Sequence, residues 1–180
     1  MDARSTPQWV FRAHPSNELA HRESTGWDFR ERQAFRRSLY CFAQPPRTHA
    51  ARRRVGILLK FEGVLPRPAY QFIVLSVAQA TGAAYEWDDH VRHAVAVGLL
   101  QDVVDSIGAG RTETLPNPYA LLRAILSKTM AWQPVPDDVQ ARAVTEWGVE
   151  GLVEIVVLSG FYQMFAAINQ GFAIKPPASI

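Results

Sequence analysis

Prolines and glycines cut this chain into pieces of helical length. Pro45-Pro46, Pro66 and Pro68, Thr81-Gly82, Gly98, Gly108-Ala-Gly110, Asn117-Pro118 and Pro136 punctuate it, and each either opens a helix or stops one. Between the breaks, apolar residues recur at roughly helical spacing, as in Phe72, Leu75, Val77 and Ala80. Alternating patterns are scarce, and the apolar runs are longer than the roughly 4–8 residues of a strand. The predicted class is therefore all-α. Helices are expected at about Trp27–Phe42, Thr48–Phe61, Ala69–Ala80, Ala84–Val97, Leu100–Ile107, Asn117–Trp132, Pro136–Trp147 and Glu150–Asn169. Asn117 is expected to cap a helix whose first turn holds Pro118.

The chain of 180 residues is long enough for one core. Its 48% hydrophobic and 20% charged residues match ordinary globular usage, which argues against disorder, coiled coil or collagen. One globular domain is expected, with an arm and first helix over 1–45 and a helical domain over 46–180. The first residues lack the apolar run of a secretory signal. In the greasiest stretch, Gly151 to Ile168, Glu154, Ser159 and Gln163 interrupt the apolar run, so a buried helix is expected in place of a membrane span. Cys41 is the only cysteine. No internal disulfide can form, which fits a reducing cytoplasmic setting.

Charge is unevenly spread. Residues 1–60 hold 12 Lys/Arg against 5 Asp/Glu, and residues 61–180 hold 7 against 12. A basic front can attract nucleic acid or an anionic membrane. Here, however, arginines alternate with Glu31, Phe35, Leu39 and Val55 as on solvated or intersubunit helix faces, so neither partner is expected.

The stretch Tyr85-Glu-Trp-Asp-Asp-His-Val-Arg-His93 concentrates the polar chemistry. At about 100° per residue, Glu86, Asp89, His90 and His93 share one arc, and Trp87, Val91, Ala94 and Val95 form an apolar stripe. A fully solvated face is one reading. A second pairs Glu86 with His90 one turn on: a carboxylate beside an imidazole fixes its tautomer, raises its pKa and equips it for proton transfer near neutrality. A third uses the i, i+4, i+7 spacing of Glu86, His90 and His93 to hold a divalent metal.

Tyr85-Glu86-Trp87-x-x-His90, after Thr81-Gly82 and before Gly98-Leu99, resembles the carboxymuconolactone decarboxylase family, related to alkylhydroperoxidase D. Gly151-Leu-Val-Glu-Ile-Val-Val-Leu-Ser-Gly160-Phe-Tyr162 is similar to that family's closing helix, and the likeness covers about Leu58 to Phe172. It implies an alkylhydroperoxidase D-like helical bundle whose protomers form trimers or hexamers around small-molecule sites. It also implies decarboxylation of an unsaturated lactone acid without metal or cofactor. His90 would then be the proton donor and Glu86 its orienting carboxylate, with Tyr85, Trp87, Gln71, His93 and Tyr162 around the substrate. Ala83 and Glu86 stand where the peroxidase branch has the cysteines of its CxxC, so thiol chemistry is not expected there. Tyr70-Gln71 replaces a usual Arg-Glu pair, and Gln71 cannot carry a proton in a relay. Arg67 and Arg92 are candidate substrate anchors. The competing functions are a non-catalytic oligomeric binding or scaffold protein of the same fold, and the metal-binding protein.

Overall fold

A computed structural model describes residues 46–111 and 113–173. The arm at 1–45, the helix expected at Trp27–Phe42 and Cys41 lie outside the described residues. Among the described residues six helices follow one another: α1 Pro46–Ile57, which runs into a π-helical turn Leu58–Glu62; α2 Arg67–Thr81; α3 Ala84–Ala96; α4 Gln101–Gly108; α5 Tyr119–Thr129; and α6 Asp137–Gly171. Among the described residues there is no strand.

The core is built around α2. Ala69 through Ala78 are all buried, because this segment is apolar nearly all round and such a helix must be enclosed by others. It packs against α3, α4, α5 and α6, and α5 packs on α6. Phe72, Ile73 and Leu75 are wholly buried, each contributing about 1.5–3 kcal/mol through loss of apolar surface to water. The Phe72 ring lies 5.1 Å from that of Tyr119 at the start of α5.

The stop expected at Thr81-Gly82 has a definite geometry. Gly82 is left-handed at φ 68°. Its amide bonds to the Gln79 carbonyl and that of Ala83 to the Ala78 carbonyl, 2.8 Å away. This paired closure asks for glycine at the turning residue. Only Ala83 then separates the turn from α3, so α3 doubles back tightly over α2.

Three boundaries differ from expectation. At α5 the helix starts at Tyr119, with Pro118 at the cap position and no side-chain cap. The amides of Leu121 and Leu122 bond to the Pro118 carbonyl and that of Ala120 to Pro116, so the backbone already serves the first turn without Asn117. The same helix ends at Thr129, before Trp132, whose φ is +56°. The helices expected over Pro136–Trp147 and Glu150–Asn169 run on as α6, but the expected break survives as a kink at Gly148, with φ 74° and ψ 174°. That conformation is essentially restricted to glycine.

By length and composition α6 could cross a membrane. One face of it, with Ile155, Leu158, Ser159 and Tyr162, is buried against the other helices, and 39% of its most apolar stretch is buried in all.

Candidate functional site

The buried face of α3 consists of Glu86, His90 and Ala94, spaced four apart and so stacked along one line of the helix. His90 is 4% exposed and Glu86 7%. Both open onto a cavity of about 410 Å³ between α1, α3 and the second half of α6, which Tyr70, Tyr85 and Tyr162 also line.

The imidazole is held from both nitrogens. Nδ1 of His90 lies 2.9 Å from Oε1 of Gln71 on α2. A carbonyl oxygen can only accept, so Nδ1 carries the proton and donates it. Nε2 is then an acceptor, and the Tyr162 hydroxyl donates to it at 3.2 Å. The Tyr162 oxygen accepts in turn from the Tyr70 hydroxyl at 2.7 Å. One directional chain, Tyr70 to Tyr162 to His90 to Gln71, thus fixes a neutral imidazole in one tautomer.

This corrects the expected role of Glu86. Its Oε2 stands 4.0 Å from His90 Nε2, beyond hydrogen-bond reach. Its Oε1 accepts from Asn169 Nδ2 at 2.6 Å. The orienting group is Gln71. The expected rise in the His90 pKa is also reversed: burial pushes it down to about 4, with Asp89 pulling upward and Lys60 and His93 adding to the fall. Burial likewise raises the Glu86 carboxyl above its ordinary range, opposed by the Asn169 bond and reinforced by Asp89. Burial raises both phenols, Tyr70 and Tyr162. The site therefore holds an uncharged base beside a carboxyl reluctant to ionise.

Other expected residues fall elsewhere. His93 is exposed, its Nδ1 2.6 Å from the Asp89 carbonyl of its own helix. Seven positions bring it back to the side of Glu86, but it does not line the cavity: its ring centre stays 6.3 Å from that of His90 and its Nδ1 is taken by the Asp89 carbonyl. Among the described residues no three His, Cys, Asp or Glu side chains are placed to hold a metal. Trp87 turns away from the cavity. It packs against the core and onto Gly108 of α4, where an added Cβ would lie 3.1 Å from its ring. Arg92 is exposed and does not line the cavity, and Arg67 stacks over Phe61, 5.1 Å from the ring centre.

Sequence reasoning missed the cations that do face the cavity, Arg52, Arg53 and Lys60, and the clamp Asn169. All sit on other helices, where no spacing links them to the α3 motif. The only signal was the basic bias of the first 60 residues. Sequence reasoning noted Tyr70 as a departure from a pattern and missed it as the far end of the hydrogen-bond chain.

The closing-helix glutamate is structural. Glu154 is buried and its Oε2 accepts from the Val64 amide at 2.7 Å, tying α6 to the loop between the π turn and α2.

No protein-family model matches this chain, and no curated protein matches it. Among solved structures it is similar to a protein of unknown function from Agrobacterium tumefaciens, provisionally named AhpD for antioxidant defence. The TM-score is 0.67 at 21% identity, over 78% of this chain and 97% of that one. With that overlap, and with six helices and no strand among the described residues, this chain has the alkylhydroperoxidase D-like helical fold.

Proposed function

We propose that this protein is a cofactor-independent lyase or isomerase that moves a proton on a small cyclic acid or lactone held over His90. The observation that carries this reading is the pairing, at the floor of one cavity, of a neutral imidazole with a buried carboxyl group 4.0 Å away. Acid–base catalysis needs one group that can accept and one that can give a proton at the working pH. Burial sets the two apart in that way, lowering the His90 pKa and raising that of Glu86.

In the decarboxylating version, the bond to the carboxylate carbon breaks and CO2 leaves. The electron pair stays on the ring as a dienolate, and the Glu86 carboxyl protonates the carbon. Water then returns a proton to Glu86. The Tyr162 hydroxyl stabilises the enolate oxygen by turning its proton from His90 Nε2, where it is held at 3.2 Å, to the substrate, while Tyr70 goes on donating to the Tyr162 oxygen. His90 holds Tyr162 in line and is the acceptor when the reaction is an isomerisation. Neither Ala83 nor Glu86 supports thiol exchange.

The test incubates the full chain with a panel of unsaturated lactone acids in deuterated buffer and follows CO2 release and carbon deuteration by NMR. Removing His90 as His90→Ala is expected to lower turnover by about 10²–10⁴-fold with the melting temperature nearly retained. Equal rates for wild type and the double variant His90→Ala/Glu86→Gln would favour a non-catalytic binding protein.

One observation favours assembly alongside either reading. Val149, Val153 and Val157 on α6 are exposed at 66%, 55% and 46%, in one line of the helix. Such a contiguous apolar face supports self-association, and sedimentation of the full chain would return only the 20.1 kDa monomer mass if it does not occur.

A further inference from the structure

The roof of the cavity is unlike its floor. Arg52, Arg53, Gly56, Ile57 and Lys60 all line it, at spacings that put them on one face of α1 and its π turn. Yet none of residues 50–57 is buried, and the π turn buries only Leu59. Among the described residues, Gly56 and Arg52 are contacts that rest α1 on the bundle. Gly56 lies against the Phe161 ring, where an added Cβ would sit 3.4 Å from Cζ, and the Arg52 guanidinium rides over Phe165 at 5.2 Å. Helices gain most of their stability from packing an apolar face, so a segment with this little burial opens at low cost.

Charge is gathered on that weakly held face. Arg53 and Lys60 form no ion pair among the described residues, and like charges on one helix face repel. A fork of guanidinium groups over an aromatic-walled hollow matches an oxyanion attached to a planar ring.

We propose that α1 and its π turn form a lid that closes on a planar ligand bearing an oxyanion, with Arg52, Arg53 and Lys60 as the anion receptor. The inference rests on the reading of this cavity as the site for a small acid. The anion bridges Arg53 and Lys60, which otherwise repel, so it binds the closed arrangement better than the open one and shifts the population toward it. Phe61, exposed at 65% and flanked by Lys60 and Arg67, forms the free lip of the lid.

Hydrogen exchange read by mass spectrometry on the full chain tests this, with benzoate, inorganic phosphate and sodium chloride at equal ionic strength. Benzoate or phosphate is expected to slow exchange over 46–62 by about fivefold or more, saturably, leaving the already slow core of α2 unchanged. Protection by benzoate alone assigns a carboxylate, by phosphate alone a phosphoryl group, and by both the shared anion chemistry. The variant Arg53→Gln/Lys60→Gln should raise the half-saturating concentration roughly tenfold or more, and the charge-conserving Arg53→Lys/Lys60→Arg should restore most of it. No protection beyond that of chloride, or equal protection in the charge-removed variant, overturns the lid. His90→Ala is expected to keep the protection. Protection without turnover therefore counts against the proton-transfer chemistry, and turnover without protection counts against the lid.

Discussion

Gln71 accepts a 2.9 Å hydrogen bond from Nδ1 of His90, across 19 positions of sequence and two helices. A neutral amide in this place orients the ring without stabilising its protonated form, whereas a carboxylate would do both. An amide at this position keeps His90 neutral at rest and leaves it a weak base.

Gln71→Glu is therefore expected to raise the His90 pKa from about 4 by ~1–3 pH units, as an adjacent opposite charge does. Titration of the imidazole by NMR reads the change directly. An unmoved titration would mean that the bond to Gln71 is not formed in solution.

The lowered His90 pKa makes stability depend on acid. Unfolded, the imidazole titrates near 6.5; folded, it titrates near 4, so the unfolded chain binds the proton more readily. The stabilisation is complete above 6.5 and is lost as pH falls from there through 4, by about 3 kcal/mol at most. Urea unfolding at half-unit pH intervals should show this slope in wild type, and a His90→Asn variant should lack most of it.

Glu86 acts in the opposite sense. Its folded pKa lies above the ordinary 4.5, so ionisation costs stability as pH rises past it. Gln in its place still accepts from Asn169 and carries no charge to desolvate. Glu86→Gln is expected to melt higher than wild type at pH 8 and no higher below pH 4.5. A lower melt at both values would show that the carboxylate is needed structurally.

Gly63 faces the carboxylate of Glu154 so closely that an added Cβ would fall on it. Gly63→Ala must push Glu154 off the Val64 amide, a loss of roughly 1–3 kcal/mol. The effect should be nearly absent in a Glu154→Gly background, which a double-mutant cycle of urea midpoints would measure.

Trp132 follows α5 at φ +56° and is 89% exposed. Its amide bonds to Thr129 and that of Gln133 to Lys128, the closure in which glycine is usual. With no packing to lose, Trp132→Gly is expected to stabilise by about 0.5–1 kcal/mol, the strain relieved exceeding the entropy glycine costs. Calorimetry would detect a rise of a few degrees; a fall would assign the indole a contact.

Much of the architecture was legible along the chain because its causes are local. Gly82 stops a helix and Gly148 kinks one through conformations that other residues resist, and Phe72, Leu75, Val77 and Ala80 recur at roughly helical spacing, so the all-α class and most boundaries follow from neighbours in sequence. That Glu86 and His90 share one line of α3 follows from the same period; that the line is buried does not, nor does what surrounds them. Gln71, Tyr162, Asn169 and Arg52 come from three other helices, and only the way α2, α6 and α1 pack decides that an amide orients His90, that Asn169 takes Glu86, and that His93 and Trp87 stay outside the cavity. Spacing along one helix specifies direction within about a turn; burial and partners depend on what packs across from it, and those determine the protonation state.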